Sequence, residues 1–182
     1  MAQPQVPIEV DDASGRWFVD NLPMILVPQH FFLNNHFALE QALGPAEYAR
    51  VLAPAGHRSA YFWCEREAEH HKLGGEDVFR HYMRRLSQRG WAQFQVLSLD
   101  GKHGHASVRV DHSIFVTGAP PDARRKLCAM FAPWLQGALE YVAASGGSPP
   151  ALDAVEVYCA AEGQHDHCRF EVSPAAAARG GS

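Results

Sequence analysis

The stretch from Glu156 to Phe170 constrains the fold most, because two cysteines and a carboxylate stand around one short loop. Eight residues, Gly163 among them, separate Cys159 from Cys168. A connection of that length can turn the chain back so that both thiolates reach one ion. Side chains alternate along a strand, so Glu156 and Cys159 would face opposite ways. If they share an ion, the strand must end or bulge near Tyr158.

The residues alone leave several interpretations of this loop open. A closed metal site needs a fourth ligand, and Cys128 is the best candidate because Cys64 stands in an unrelated segment. His165 and His167 are competing ligands. Without a metal, the two loop cysteines would be small packed hydrophobic residues or a hairpin disulfide.

The segment 128–137 and the residues that follow it carry a resemblance to a known family. Cys128, Trp134, Gly137 and then Glu156, Cys159, Gly163 and Cys168 stand at the motif positions of the 4-vinyl reductase domain family. That family comprises small-molecule-binding domains and includes sensor domains of bacterial activators that respond to phenols and xylenes. One position departs from the pattern, since Pro133 stands where the family usually has glycine.

The resemblance implies a cofactor and its ligands. The sensor domains of the family hold a structural Zn²⁺ with three cysteines and one glutamate, which by motif position are Cys128, Glu156, Cys159 and Cys168 here. The site would be structural, and no catalytic residue is predicted. The resemblance is specific over residues 128–172 and diffuse before them.

Length and composition fit one domain. The chain has 182 residues, of which 47% are hydrophobic and 20% charged, enough for one core. We expect a single 4-vinyl-reductase-like ligand-binding domain over residues 17–173. Flexible ends are expected at 1–16 and 174–182, the latter a low-complexity run rich in alanine.

Charge and hydropathy exclude several classes of function. The formal net charge is −4 and the pI is about 6.2, and no basic run extends beyond Arg124-Arg125-Lys126, so nucleic acid is not an expected partner. The N-terminus lacks a signal peptide's basic and apolar regions, and no apolar run approaches the roughly 20 residues needed to span a bilayer. We expect a cytoplasmic protein, and a reducing compartment argues against the disulfide.

Periodicity and turn residues predict an α+β fold, with a small antiparallel sheet packed against several helices and a C-terminal zinc-bound hairpin. Two short helices between Asn35 and Ala53 should break at Gly44-Pro45, and Glu76 to Arg89 should be helical. The segments 91–99 and 105–116 should form a hairpin. A helix should run from Asp122 to Gly146 with a kink at Pro133, before strands at about 152–159 and 167–173.

Other candidate sites have simpler explanations. Glu67, His70 and His71 share a helical spacing, but their segment is so rich in charge that a solvated helix face is expected. Ser113 follows His112, and neighbours on a strand face opposite ways, so they cannot form a Ser–His pair. The sequence has no His-Glu-x-x-His, no GxGxxG and no P-loop.

An apolar row on the hairpin suggests a ligand pocket. The row Ala106, Val108, Val110, His112, Ile114 contains one histidine, which is either a hydrogen-bonded core residue or the polar anchor of a pocket. Trp134 is likewise either a core residue or a pocket wall. We expect a pocket between the hairpin and the helix from Asp122. Its predicted ligand-binding residues are His112, Trp134, Val110 and Ala138.

Taken together, these patterns favour a cytoplasmic, zinc-stabilised sensor domain that binds a small apolar or aromatic molecule, of the hydrocarbon-binding kind. The alternatives are an accessory reductase-type enzyme and a protein-interaction scaffold. By resemblance we expect a homodimer. Because no ATPase or DNA-binding module accompanies the domain in this sequence, we expect signalling to pass through a separate signalling or enzyme partner.

Overall fold

The computed structural model describes residues 6–147 and 151–176. Three short strands open the chain as an antiparallel sheet: β1 (Ile8–Asp11), β2 (Arg16–Val19) and β3 (Leu22–Met24). β1 thus lies inside the segment 1–16 for which we expected flexibility, and it pairs with β2. The outermost residues of both predicted flexible ends, 1–5 and 177–182, lie outside the described residues. The predicted domain limits stay predictions.

Three helices follow: α1 (Gln29–Leu43), α2 (Pro45–His71) and α3 (Glu76–Gln88). The break at Gly44-Pro45 is confirmed, with Gly44 at φ 83 and Pro45 as the first residue of α2. The expected end of the second helix near Ala53 is wrong, because α2 continues through Pro54 for 27 residues. The helix predicted from Glu76 is confirmed.

A four-stranded antiparallel sheet forms the second layer, with β4 (Gln93–Asp100), β5 (His105–Asp111), β6 (Leu152–Tyr158) and β7 (Cys168–Pro174) in the order β4-β5-β7-β6. The predicted α+β class is confirmed. The predicted extension of β5 to Val116 is wrong. His112 takes a left-handed φ of 55, and Ser113 caps a short helix, α4 (Ile114–Thr117).

The last helix, α5 (Phe131–Ser145), begins nine residues after the predicted start at Asp122. Residues 122–130 instead cross the molecule without regular helix, and their polar groups bond to other elements. Pro133 therefore lies in the first turn, where a backbone N–H has no intrahelical partner, and the expected kink has no cause. Gly137 allows α5 to approach α2, since a Cβ there would lie 2.3 Å from the His57 carbonyl oxygen.

The core lies between the four-stranded sheet and the helices. Its largest members are four phenylalanines with no exposed surface: Phe79, Phe115, Phe131 and Phe170. Phe131 contacts Phe115 and Phe170, so the start of α5 is fixed against α4 and β7. None of the described helices is long and apolar enough to cross a membrane.

Candidate functional site

The C-terminal hairpin brings the predicted metal ligands together. The register between β6 and β7 shifts between Glu156 and Tyr158, and β6 ends at Tyr158, as the sharing of one ion requires. Cys159 is consequently buried on the same side as Glu156, whereas Val155 and Val157 face solvent. A 3₁₀ turn at Ala160–Glu162 then reverses the chain towards Cys168.

The four donor atoms of Cys128, Glu156, Cys159 and Cys168 lie within 4.8 Å of one another, and all four residues are buried. The Sγ of Cys168 is 3.7 Å from that of Cys128 and 3.5 Å from that of Cys159. Thiolates around a tetrahedral ion with bonds near 2.3 Å would be about 3.8 Å apart. The cysteines are free, so the disulfide alternative does not describe this hairpin. The arrangement could hold a metal ion.

Hydrogen-bond donors surround this cluster. The Ala160 N–H donates to Cys168 Sγ at 3.4 Å, and Ser113 Oγ lies 3.1 Å from Cys128 Sγ. The Cys128 N–H donates to Glu156 Oε2 at 3.2 Å, while Glu156 Oε1 is buried with no hydrogen-bond partner. Such donors offset the excess negative charge that three thiolates and a carboxylate would place around a divalent ion. A buried carboxylate oxygen without a hydrogen-bond partner fits the role of a metal ligand.

Burial and hydrogen bonds shift the pKa values of the clustered groups in opposite directions. Burial and the neighbouring Cys159 sulfur raise the pKa of the Glu156 carboxyl to about 9. Hydrogen bonds from Cys128 and Cys168 lower the pKa of the Cys159 thiol. Donating to Cys159 and Cys168, together with burial, raises the pKa of Cys128. A divalent cation would replace the remaining protons.

A partly open cavity of about 50 Å³ lies beside this cluster, between α1, α2 and the segment that leads into α5. Leu127, Ala129 and Met130 line it on one side, and Leu52 and Trp134 are also among its lining residues. Because Leu127 and Ala129 flank Cys128, the metal-type cluster and one cavity wall belong to the same piece of chain. Gly56 lets Trp134 lie against α2, since a Cβ there would be 2.9 Å from the indole.

One polar pair in this lining, His36 and Tyr48, includes a ring nitrogen that has no hydrogen-bond partner. His36 on α1 is 4% exposed, and its Nδ1 lies 2.7 Å from the Tyr48 hydroxyl. The Tyr48 hydroxyl also lies 3.7 Å from Met130 Sδ, a weak acceptor. Burial lowers the pKa of His36, which keeps the imidazole neutral. In the tautomer with the proton on Nδ1, His36 donates to Tyr48 Oη and its Nε2 is an acceptor. That Nε2 is buried and has no hydrogen-bond partner.

The four predicted ligand-binding residues occupy different surroundings. Trp134 lines the cavity. Val110 and Ala138 are fully buried in the core, and His112 is exposed after the end of β5. The expected apolar row therefore stops at Val110, because the left-handed turn at His112 removes it from the strand face. Sequence reasoning missed His36 and Tyr48, whose meeting depends on how α1 packs on α2.

A second polar cluster contradicts the expectation of a solvated helix face at Glu67. Glu67 has no exposed surface, and its Oε2 accepts from His81 Nε2 at 2.7 Å. A sequence signal existed, because Ala60, Cys64 and Glu67 recur at helical spacing along the buried stripe of α2. The charge-rich residues around Glu67 belong to the opposite, exposed face.

Fold and site together define a class: a small α+β domain with a thiolate-rich metal-type cluster at its C-terminal hairpin and a small apolar cavity beside it. The family model described as a domain of unknown function, DUF5943, matches residues 2–97, over half of the chain. The chain belongs to this family. No curated protein sequence matches the chain. Membership of the 4-vinyl reductase family stays a prediction.

Two solved structures have a similar fold. One is the phenol-responsive sensory domain of the transcription activator PoxR with phenol, with a TM-score of 0.75 and 15% identity over 92% of this chain and 84% of that chain. The other is a trafficking protein particle complex subunit 3 from Naegleria fowleri covalently bound to palmitic acid, with a TM-score of 0.50 and 14% identity over 81% of this chain and 95% of that chain. At these identities the likeness establishes the fold.

Proposed function

We propose that this protein is a sensor-type domain that binds a small, neutral aromatic molecule carrying one hydrogen-bond donor. The observation that carries the proposal is a small cavity whose lining is mainly apolar and includes His36, with its buried and unpaired Nε2. The proposal takes the tautomer in which His36 Nδ1 donates to Tyr48, so that Nε2 accepts from the ligand. Ligand sites are mostly apolar with a few placed polar groups, and this lining has that composition. The similarity in fold to a phenol-responsive sensory domain supports the same conclusion.

The size of the cavity limits the size of the ligand and requires a structural change on binding. At about 50 Å³ it holds less than a six-membered ring needs, given that a cavity of roughly 150 Å³ accepts benzene in another protein. Met130 and Trp134 line the cavity and are only partly buried, so an outward movement of either side chain would enlarge it. We therefore expect a single-ring ligand and a structural change at the start of α5 on binding.

The proposal includes a structural Zn²⁺ held by Cys128, Glu156, Cys159 and Cys168. Three thiolates and a carboxylate suit this ion and leave no open position for chemistry, which favours a bracing role over an enzymatic one. Zinc would fix Cys128, and with it the neighbouring residues that line the cavity. Loss of zinc should therefore weaken ligand binding as well as stability.

A homodimer and a separate signalling or enzyme partner belong to the same proposal. Apolar side chains are exposed after β3 and in the first turn of α1, with Ile25 at 83%, Leu26 at 75% and Phe31 at 58% of their surface accessible. Large apolar side chains that are exposed close together in sequence favour an interaction surface. A cytoplasmic location remains part of the proposal.

A thermal-shift screen of phenols, short aromatic acids and apolar metabolites tests the ligand proposal. Ala53→Leu should abolish stabilisation, since Ala53 lines the cavity and a larger side chain there would fill it. Ala55→Leu, an exposed position on the same helix, is the matched control and should retain it. The proposal fails if no compound stabilises the wild type, or if both variants respond alike.

A further inference from the structure

The C-terminal end of α2 carries a second group of metal-ligating side chains. Asp20, His70 and His71 each place one donor atom within 4.8 Å of the others. Asp20 lies in the turn between β2 and β3, whereas the two histidines end α2. The group therefore contains residues from both the N-terminal sheet and the helical layer.

A neighbouring triad of Glu67, His71 and His81 is just as compact, but both ring nitrogens of His81 already take part in hydrogen bonds. Arg84 Nη2 lies 2.6 Å from His81 Nδ1, and arginine can only donate. His81 Nδ1 is thus an acceptor, and Nε2 carries the proton that it donates to Glu67 at 2.7 Å. Metal binding at His81 would break both bonds, so His81 belongs to a fixed network.

His71 is in the opposite situation, because its Nε2 is buried and has no hydrogen-bond partner. It lies 3.4 Å from Asp20 Oδ1 and 3.5 Å from Glu67 Oε2. Both distances are too long for good hydrogen bonds. They match the spacing of about 3.3 Å between two donor atoms bound to a tetrahedral ion at 2.0–2.1 Å. The second carboxylate oxygen of fully buried Glu67 also lacks a partner.

Neighbouring groups hold these donors in place. Arg85 Nη2 lies 2.7 Å from Asp20 Oδ2, which leaves Oδ1 directed away from the arginine. Asn21 Nδ2 lies 3.3 Å from His70 Nδ1, and rotation of this amide would let Asn21 Oδ1 accept from Nδ1–H and leave His70 Nε2 for the metal. These are the outer contacts by which proteins fix metal ligands.

Charge and donor type decide which ion fits. Arg85, and Arg89 stacked over Trp63, already offset the buried carboxylates Asp20 and Glu67. A hard cation such as Ca²⁺ or Mg²⁺ binds through the negative charge of carboxylates, so it would be held only weakly here. Two imidazoles and a carboxylate oxygen instead suit zinc, nickel or cobalt.

We propose that Asp20, His70 and His71 form a second, open site for a divalent transition metal. His70 is exposed, so water can complete the coordination and the ion can exchange, in contrast to the closed cluster at the hairpin. Bound metal would tie the β2–β3 turn to the end of α2 and so regulate how firmly the N-terminal sheet is attached.

Zinc titration of the purified protein, followed by calorimetry, tests the proposal. The wild type should bind one zinc ion beyond any retained at the hairpin. His70→Asn and His71→Asn should each weaken this additional binding by at least about tenfold. His103→Asn, at an exposed histidine paired with Asp100, is the matched control and should leave it unchanged. Zinc should also slow amide exchange in β2 and β3 in the wild type alone.

Cobalt substitution separates the two sites. Thiolate-to-cobalt charge-transfer absorption reports the hairpin cluster, and it should be identical in the wild type and in His70→Asn, whose exposed position poses little risk to folding. The proposal is overturned if the wild type takes up no additional zinc. It is equally overturned if additional zinc persists undiminished in both variants, which would assign it to other surface histidines.

Discussion

Replacing His36 by phenylalanine should remove the preference of this protein for phenol over toluene. The substitution keeps a planar ring of similar size against Phe115 and Tyr48 and deletes the unpaired acceptor. In the wild type, phenol can donate to His36 Nε2, whereas toluene has the same shape and no donor. An unmade hydrogen bond at a buried polar atom costs about 1–3 kcal/mol. Since about 1.4 kcal/mol corresponds to tenfold in affinity, phenol should bind about 5- to 150-fold more tightly than toluene.

In His36→Phe the preference should disappear, because the acceptor for the phenol hydroxyl is gone. Thermal shift at matched ligand concentrations, followed by calorimetry, measures both affinities. At a ligand concentration of 100 times Kd, stabilisation should be about 2.7 kcal/mol, or a Tm increase of roughly 5–11 °C for a chain of this length. His30→Phe, at an exposed histidine on the same helix, should behave as the wild type. Equal binding of the two ligands by the wild type, or an unchanged preference in His36→Phe, would refute the assignment of Nε2.

Three further predictions concern the metal and the assembly. Cys159→Ser should lose the hairpin zinc and lower Tm by at least about 10 °C, whereas Cys64→Ser, the same change at a buried cysteine outside the cluster, should keep the zinc; elemental analysis and calorimetry check both. Zinc affinity should fall as pH falls, because the cysteine thiols and Glu156 must lose protons to bind, and a pH-independent affinity in a chelator competition would contradict the ligand set. Light scattering at micromolar concentration should give a dimer, and a mass near the 20.1 kDa of one chain would exclude it.

The hairpin cluster was predictable because its ligands are local in sequence. Glu156, Cys159 and Cys168 lie on or next to two adjacent strands, and the strand end or bulge that they require follows from strand alternation alone. Cys128 was the best fourth candidate among the remaining cysteines, and the resemblance supported it. Helical periodicity, in contrast, misplaced the start of the last helix. The apolar stripe of residues 127–142 has helical spacing throughout, yet the helix begins only at Phe131 because Arg125 and Cys128 bond to α1 and β6.

The cavity and the buried charges were harder to predict, since both depend on packing between distant segments. His36 meets Tyr48 and Met130 only because α1, α2 and the segment before α5 converge. Glu67 looked solvated because its neighbours in sequence are charged, while its partners His81 and Arg85 come from another helix, α3. His112 was misplaced because a single left-handed residue ends β5, and sequence alternation does not reveal such a turn.

A crystal structure of the protein grown with phenol, with data collected at the zinc absorption edge, tests the account most directly. The account predicts an anomalous peak bonded to Cys128, Glu156, Cys159 and Cys168, and a phenol ring beside Trp134 with its hydroxyl on His36 Nε2. Density for neither, with the hairpin cysteines unmetallated and the cavity closed by side chains, would contradict it.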